Sequence, residues 1–158
     1  MKNKIAVIGG GAIGSLITAY IAKSGHHVSI IDTWPQHVEK IKTQGLTLKS
    51  NNDKFTVSVD AFHLGELSNN NPRFDFVFCC VKSQDTVWTI KFIERYMSPG
   101  GVIISAQNGI NDEIIASLIG FSKTIGCVIT LGAMLIEPGI VKRTSLEENP
   151  ALTLGELN

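Results

Sequence analysis

The chain has 158 residues, with 14 Lys and Arg against 14 Asp and Glu and 44% hydrophobic side chains. That length fits one ordinary domain with its own hydrophobic core, and the hydrophobic fraction excludes a disordered chain. Balanced charge gives no broad basic or acidic field, so neither nucleic acid nor a membrane is expected as a main partner. The three cysteines, Cys79, Cys80 and Cys127, make no disulfide framework, and with the four scattered histidines they give no metal-ligand spacing, so no metal is expected. The apolar runs are too short for a signal-peptide core or a membrane span, and a cytoplasmic, reducing setting is expected.

In chain order, Ile5–Ile8 is a continuous apolar run that stops at glycines, the pattern of a strand buried on both faces. Ile13, Leu16, Ile17, Tyr20 and Ile21 follow at helical spacing, with Gly25 as the closing glycine. Residues 28–31 make a second apolar strand ending at Asp32. Pro35 opens a helix that carries Val38 and Ile41 and ends at Gly45. Residues 46–48 and 55–59 then alternate apolar and polar side chains, which predicts a small antiparallel β insertion around 46–59. Ser68 to Pro72 reads as a loop. Residues 74–81 form a strongly apolar strand, Ser83 is placed to cap a helix through about Tyr96, and Pro99-Gly100-Gly101 reads as a turn before a strand over 102–104. A short helix from Asn111 and Asp112, a strand over 125–131, a turn at Glu137-Pro138-Gly139 and a weak strand over 152–154 complete the chain. Strands alternating with helices predict an α/β fold: a doubly wound, mostly parallel, Rossmann-like sheet with helices on both faces, in a single domain over 1–158.

The first βα turn matches G-x-G-x-x-G at Gly9, Gly11 and Gly14. The first glycine allows a tight turn, the second lets a diphosphate approach the backbone, and the third lets the helix pack against the strand. The helix N-terminus then offers free N–H groups to the anion. Asp32 lies 18 residues after Gly14 at the end of the second strand, where an acidic side chain accepts hydrogen bonds from the adenosine ribose and repels a 2′-phosphate. It favours NAD(H) over NADP(H). The alternative role for Asp32 is to cap the turn before Pro35. Lys82 and the Gln107-Asn108-Gly109 segment fall at the carboxyl ends of later strands, on the ligand-binding edge of such a sheet. Taken singly, Lys82 is also an ordinary solvated strand end and Asn108-Gly109 an ordinary turn.

Taken together, the GGGAIG run, Gly45-Leu46-Thr47-Leu48, Cys80-Val81-Lys82-Ser83, Gln107-Asn108-Gly109-Ile110, Gly126, Gly132-Ala133 and Pro138-Gly139 resemble the N-terminal domain of the ketopantoate reductase (2-dehydropantoate 2-reductase) family. The resemblance implies that Gly9, Gly10, Gly11, Ala12, Ile13 and Gly14 form the cofactor diphosphate loop. It also implies that Lys82 and Ala133 contact the cofactor and that Asn108 stands where cofactor and substrate meet. Members of the family reduce ketopantoate, a small 2-oxo acid, to pantoate on the route to pantothenate by hydride transfer from a nicotinamide.

Two departures accompany the resemblance. Typical members use NADP(H) and carry a basic residue near the end of the second strand, where this sequence has Asp32-Thr33. Members also continue into a C-terminal helical domain that supplies a catalytic lysine and a substrate-binding glutamate, so no catalytic residue is assigned here. The chain is expected to bind a dinucleotide, to turn over little by itself, and to self-associate through the apolar surface that such a domain would cover. Two other functions remain open: a stand-alone regulatory nucleotide-binding module, and the cofactor domain of a 3-hydroxyacyl-CoA or sugar-nucleotide dehydrogenase.

Overall fold

Between Lys4 and Gly9 lie four consecutive apolar residues. They leave β1 (Ile5–Ile8) without a polar face, and Ala6, Val7 and Ile8 are fully buried. The computed structural model describes residues 4–146 and 152–157. After β1 come α1 (Ala12–Lys23), β2 (Val28–Asp32), α2 (Pro35–Gln44), β3 (Leu46–Lys49), β4 (Lys54–Val57) and β5 (Asp60–His63). The short α3 (Leu67–Asn70) leads to β6 (Phe74–Cys79), α4 (Thr86–Ile93), β7 (Met97–Ser105), α5 (Asp112–Ile119) and β8 (Thr124–Ile129). A hairpin of β9 (Ala133–Glu137) and β10 (Ile140–Arg143) follows, then β11 (Leu152–Glu156).

Among the described residues the main sheet has seven strands in the order β5-β2-β1-β6-β7-β8-β11. Every pair is parallel except β11 on β8. In chain order the parallel strands follow the 3-2-1-4-5-6 arrangement of dinucleotide-binding sheets, and the reversal falls between β1 and β6. The expected doubly wound, Rossmann-like fold is the one observed. Side chains alternate across each strand, so Ala6 and Ile8 share a core with Ile90 and Ile93 of α4 and Ile115 of α5. Val7 faces the other way, toward Ile17 of α1. Helices therefore cover both faces.

The insertion around 46–59 is larger than the sequence pattern predicts. β3 and β4 pair antiparallel as expected, but the β9–β10 hairpin joins them in a four-stranded sheet, and β10 lies parallel to β3. Leu46, Leu48 and Val141 of this sheet pack on Leu16 and Ala19, so α1 is held between the two sheets. Three further differences have local causes. Asp60–His63, polar at both ends, is a parallel edge strand on β2. Ser68 to Asn70 belong to α3, which ends on Asn71 in the left-handed region (φ 38°). Pro99-Gly100-Gly101 sits inside β7 as an irregularity, where the pairing jumps from Phe74↔Met97 to Phe76↔Val102. Proline has no N–H for the ladder, so that stretch bulges.

The register aligns the ligand-binding edge. Ile8 pairs with Ile31 on one side and Cys79 on the other, and Cys79 pairs with Ser105. Gly9, Cys80 and Ala106 therefore each stand one residue beyond their strands, level with Asp32, the last residue of β2.

Candidate functional site

Gly9 leaves β1 with φ +96°, and its N–H donates to Ile31 O at 2.9 Å, which ties the turn to β2. A Cβ on Gly9 would lie 2.8 Å from the backbone of Cys80 and Val81, and one on Gly14 would lie 2.0 Å from Gly9 O. A Cβ on Gly11 would meet nothing within 4 Å. Gly9 and Gly14 are thus glycines required by the fold, whereas Gly11 leaves bare backbone facing the groove. Gly11 is also the N-cap of α1, and no side chain caps that helix end. The first N–H groups of the helix, beginning at Ala12 and Ile13, are free to meet an anion, and a diphosphate fits this cradle.

Both oxygens of Asp32 are engaged by backbone. Oδ2 accepts from Gly10 N–H at 2.5 Å and Oδ1 from Trp34 N–H at 2.7 Å. The turn-capping contact before Pro35 is therefore present, and a second contact fixes the glycine loop. Each oxygen keeps a further lone pair, and Asp32 lines the groove, so the carboxylate can still accept from ribose hydroxyls.

The groove runs across the reversal between β1 and β6. One stretch is lined by Ile8, Gly9, Gly11, Asp32, Lys82 and Trp88, and the adjoining stretch by Ile13, Lys82, Ser83, Gln107 and Asn108. Cys80, Val81 and Lys82 belong to both, which makes the groove continuous. Lys82 is exposed and brings a positive charge to the middle of it. Asn108 is exposed at the far end. Ala133 is not brought to this groove. It opens β9 and packs against the cluster around Leu16 and Ala19.

The loops carrying Lys82 and Asn108 are stitched together by residues whose roles the sequence pattern does not reveal. Gln107 Nε2 donates to Val81 O at 2.8 Å and to Thr86 Oγ1 at 2.9 Å. Asn111 Nδ2 donates to Asn108 O at 2.9 Å and to Ser83 Oγ at 3.2 Å. The Ser83 hydroxyl does not cap a helix but donates to Asn108 O at 3.3 Å. Ser15 and His37, behind the glycine loop, also escape sequence reasoning: Ser15 bonds Gly10 and His37, and the other partner of His37 is Gly139, 102 residues along the chain. Cys80 lines the groove, yet burial pushes its thiol well up, and burial drives the Cys79 thiol up to about 12. Neither supplies a thiolate near neutral pH. Among the described residues no group of three or more His, Cys, Asp or Glu could hold a metal ion.

The sequence matches the family described as ketopantoate reductase PanE/ApbA over residues 5–158. The chain belongs to the ketopantoate reductase family. It is 35% identical over 142 residues to the 2-dehydropantoate 2-reductase of Pyrococcus abyssi, covering 89% of this chain and 44% of that protein. The crystal structure of the 2-dehydropantoate 2-reductase from Geobacter metallireducens superposes with a TM-score of 0.83 at 29% identity, over 97% of this chain and 49% of that one. A ternary structure of D-mandelate dehydrogenase with NADH and anilino(oxo)acetate gives 0.81 at 25% identity, over 90% and 46%. This ketopantoate reductase-family chain thus spans about half the length of the relatives it matches.

Proposed function

We propose that this chain is the dinucleotide-binding half of a ketopantoate reductase-like oxidoreductase. The observation that carries this reading is the continuous groove over the β1–β6 reversal, which joins the uncapped start of α1, Asp32, Lys82 and Asn108. Gly9 to Gly14 hold the diphosphate through backbone N–H groups. Asp32 accepts from the adenosine ribose and disfavours a 2′-phosphate, so NAD(H) is preferred and NADP(H) is the weaker ligand. Lys82 balances the cofactor's negative charge, and Asn108 stands at the nicotinamide end beside the substrate.

The substrate is a small 2-oxo acid, ketopantoate in the family's own reaction. A bound nicotinamide supplies the hydride that reduces its keto carbon. Such a reduction also needs a proton donor beside the developing alkoxide and a site closed to water. We assign both to a second half of the kind the longer relatives possess. The apolar rim beyond Asn108 supports that assignment: Ile110 is 82% exposed and Val128 64%. If the second half is missing, the same rim drives self-association. Among the described residues no helix is long and apolar enough to cross a membrane, and we place the protein in the cytosol. The test is a steady-state assay of the 158-residue chain with NADH or NADPH and ketopantoate. Dinucleotide binding with turnover far below ordinary enzyme rates is expected. Turnover of about 1 per second or more would contradict the division of labour.

A further inference from the structure

His37 is completely buried, although it sits on α2, whose outer face is solvated. Its ring is hydrogen-bonded at both nitrogens. Gly139 N–H, in the turn between β9 and β10, donates to Nδ1 at 3.0 Å. That nitrogen must therefore carry a lone pair, and the proton of the neutral ring lies on Nε2. Nε2 stands 3.1 Å from Ser15 Oγ, and Ser15 Oγ donates its one proton to Gly10 O at 2.7 Å. Because that proton is used on Gly10, Ser15 can only accept from His37. Two independent constraints thus fix the same tautomer, and the chain Gly139→His37→Ser15→Gly10 runs in one direction. Gly10 is the residue whose N–H is held by Asp32, so its two neighbouring peptide groups are both pinned.

We propose that His37 is a positioning residue for dinucleotide binding: as a neutral imidazole it latches the glycine loop to the β9–β10 turn, and its protonation loosens the loop's hold on the diphosphate. This rests on the dinucleotide-binding function proposed above. A second ring proton would point Nδ1–H at Gly139 N–H, setting two donors face to face and removing that bond. Burial holds the ring's proton affinity below its ordinary value, while the Asp32 carboxylate and the contact with Gly10 pull the other way. The remaining charged groups on the surrounding elements are Lys23 on α1, Glu39, Lys40 and Lys42 on α2, and Glu137, Lys142 and Arg143 on the hairpin, Arg143 being turned to the Tyr20 hydroxyl at 3.2 Å. Of all of these, Asp32 is the one that acts on the ring. Trp34 stacks on the imidazole at 5.7 Å between centroids and 12° between planes, which shields it from solvent.

The test is NAD+ binding to the full chain by calorimetry from about pH 8 to about pH 5.5, with ring-nitrogen NMR of His37 in the same samples. NAD+ is the probe because its diphosphate does not titrate in this range. The expected results are an Nε2–H tautomer at pH 8 and an affinity that falls about fivefold as the ring protonates, the size set by one lost hydrogen bond. By linkage, saturating NAD+ moves the His37 titration to lower pH. The His37→Asn variant keeps a neutral acceptor facing Gly139 and is expected to give a flat profile. An Nδ1–H tautomer, an affinity indifferent to ring protonation, or the same acid-side fall in His37→Asn would overturn the latch. Absence of NAD+ binding to the wild-type chain at pH 8 would instead sink the dinucleotide function itself, and the latch with it.

Discussion

The carboxylate of Asp32 holds the N–H of Gly10 at 2.5 Å, so the acidic residue that ends β2 is joined directly to the glycine turn that leaves β1. One side chain thereby shapes the diphosphate cradle and borders the position where a ribose would lie. Its removal is expected to act on both. Replacing Asp32 with Ala leaves the buried Gly10 N–H without a partner, which costs about 1–3 kcal/mol of stability. Both dinucleotides share the loop, so their affinity ratio isolates the ribose contact. In Asp32→Ala the NADH affinity is expected to fall about tenfold more than the NADPH affinity, measured by parallel titrations. An unchanged ratio would leave Asp32 with a structural role alone.

The glycines separate folding from binding. Gly14→Ala puts a methyl group 2.0 Å from Gly9 O and is expected to lower the stability by about 2 kcal/mol. Gly11→Ala meets no atom within 4 Å, so its denaturant midpoint should stay close to that of the parent while dinucleotide affinity drops about tenfold or more. Urea unfolding paired with NADH titration reads both. A Gly11→Ala protein that binds normally would show that the diphosphate does not lie on this helix end.

Burial of His37 also has a consequence for stability against pH. The native ring resists protonation, while in the unfolded chain it titrates near 6.5. The unfolded state therefore binds more protons below that pH. The contribution is complete above about pH 6.5 and is lost progressively as pH falls toward the lower native value. Wild-type urea midpoints should decline over this interval more steeply than those of His37→Asn. Equal slopes would mean that His37 is not the group responsible.

Cys79, with a thiol raised to about 12, presents only about one part in ten thousand as thiolate at pH 8. Cys80 is likewise held in the protonated form by burial. Both are expected to resist a disulfide reagent in the native chain and to react at once in denaturant. Rapid modification of Cys79 or Cys80 without unfolding would contradict the packing described at the end of β6.

Much of this site is legible along the chain because it depends on local patterns. Ile5–Ile8 followed by three glycines and an amphipathic run is a strand, turn and helix at once, and the strand ends at Asp32, Cys79 and Ser105 show where polar residues will gather. The regions that are not legible depend on distant pairings. β5 has few β-forming residues and is a strand because Ala61 and Phe62 pair with Ile30 and Ile31. The second sheet needs β10 to find β3 across some ninety residues, which no local alternation encodes. His37 looks like one surface-helix histidine among four until the β9–β10 turn is laid over it.

The central claim is that a nicotinamide dinucleotide lies across the β1–β6 reversal, with its diphosphate on the start of α1. Isothermal titration of the chain and of its Gly11→Ala variant with NADH tests this most directly. The account predicts saturable binding of one dinucleotide per chain, lost or strongly weakened in the variant. No saturable binding up to about millimolar NADH, or binding that the variant leaves untouched, would contradict it.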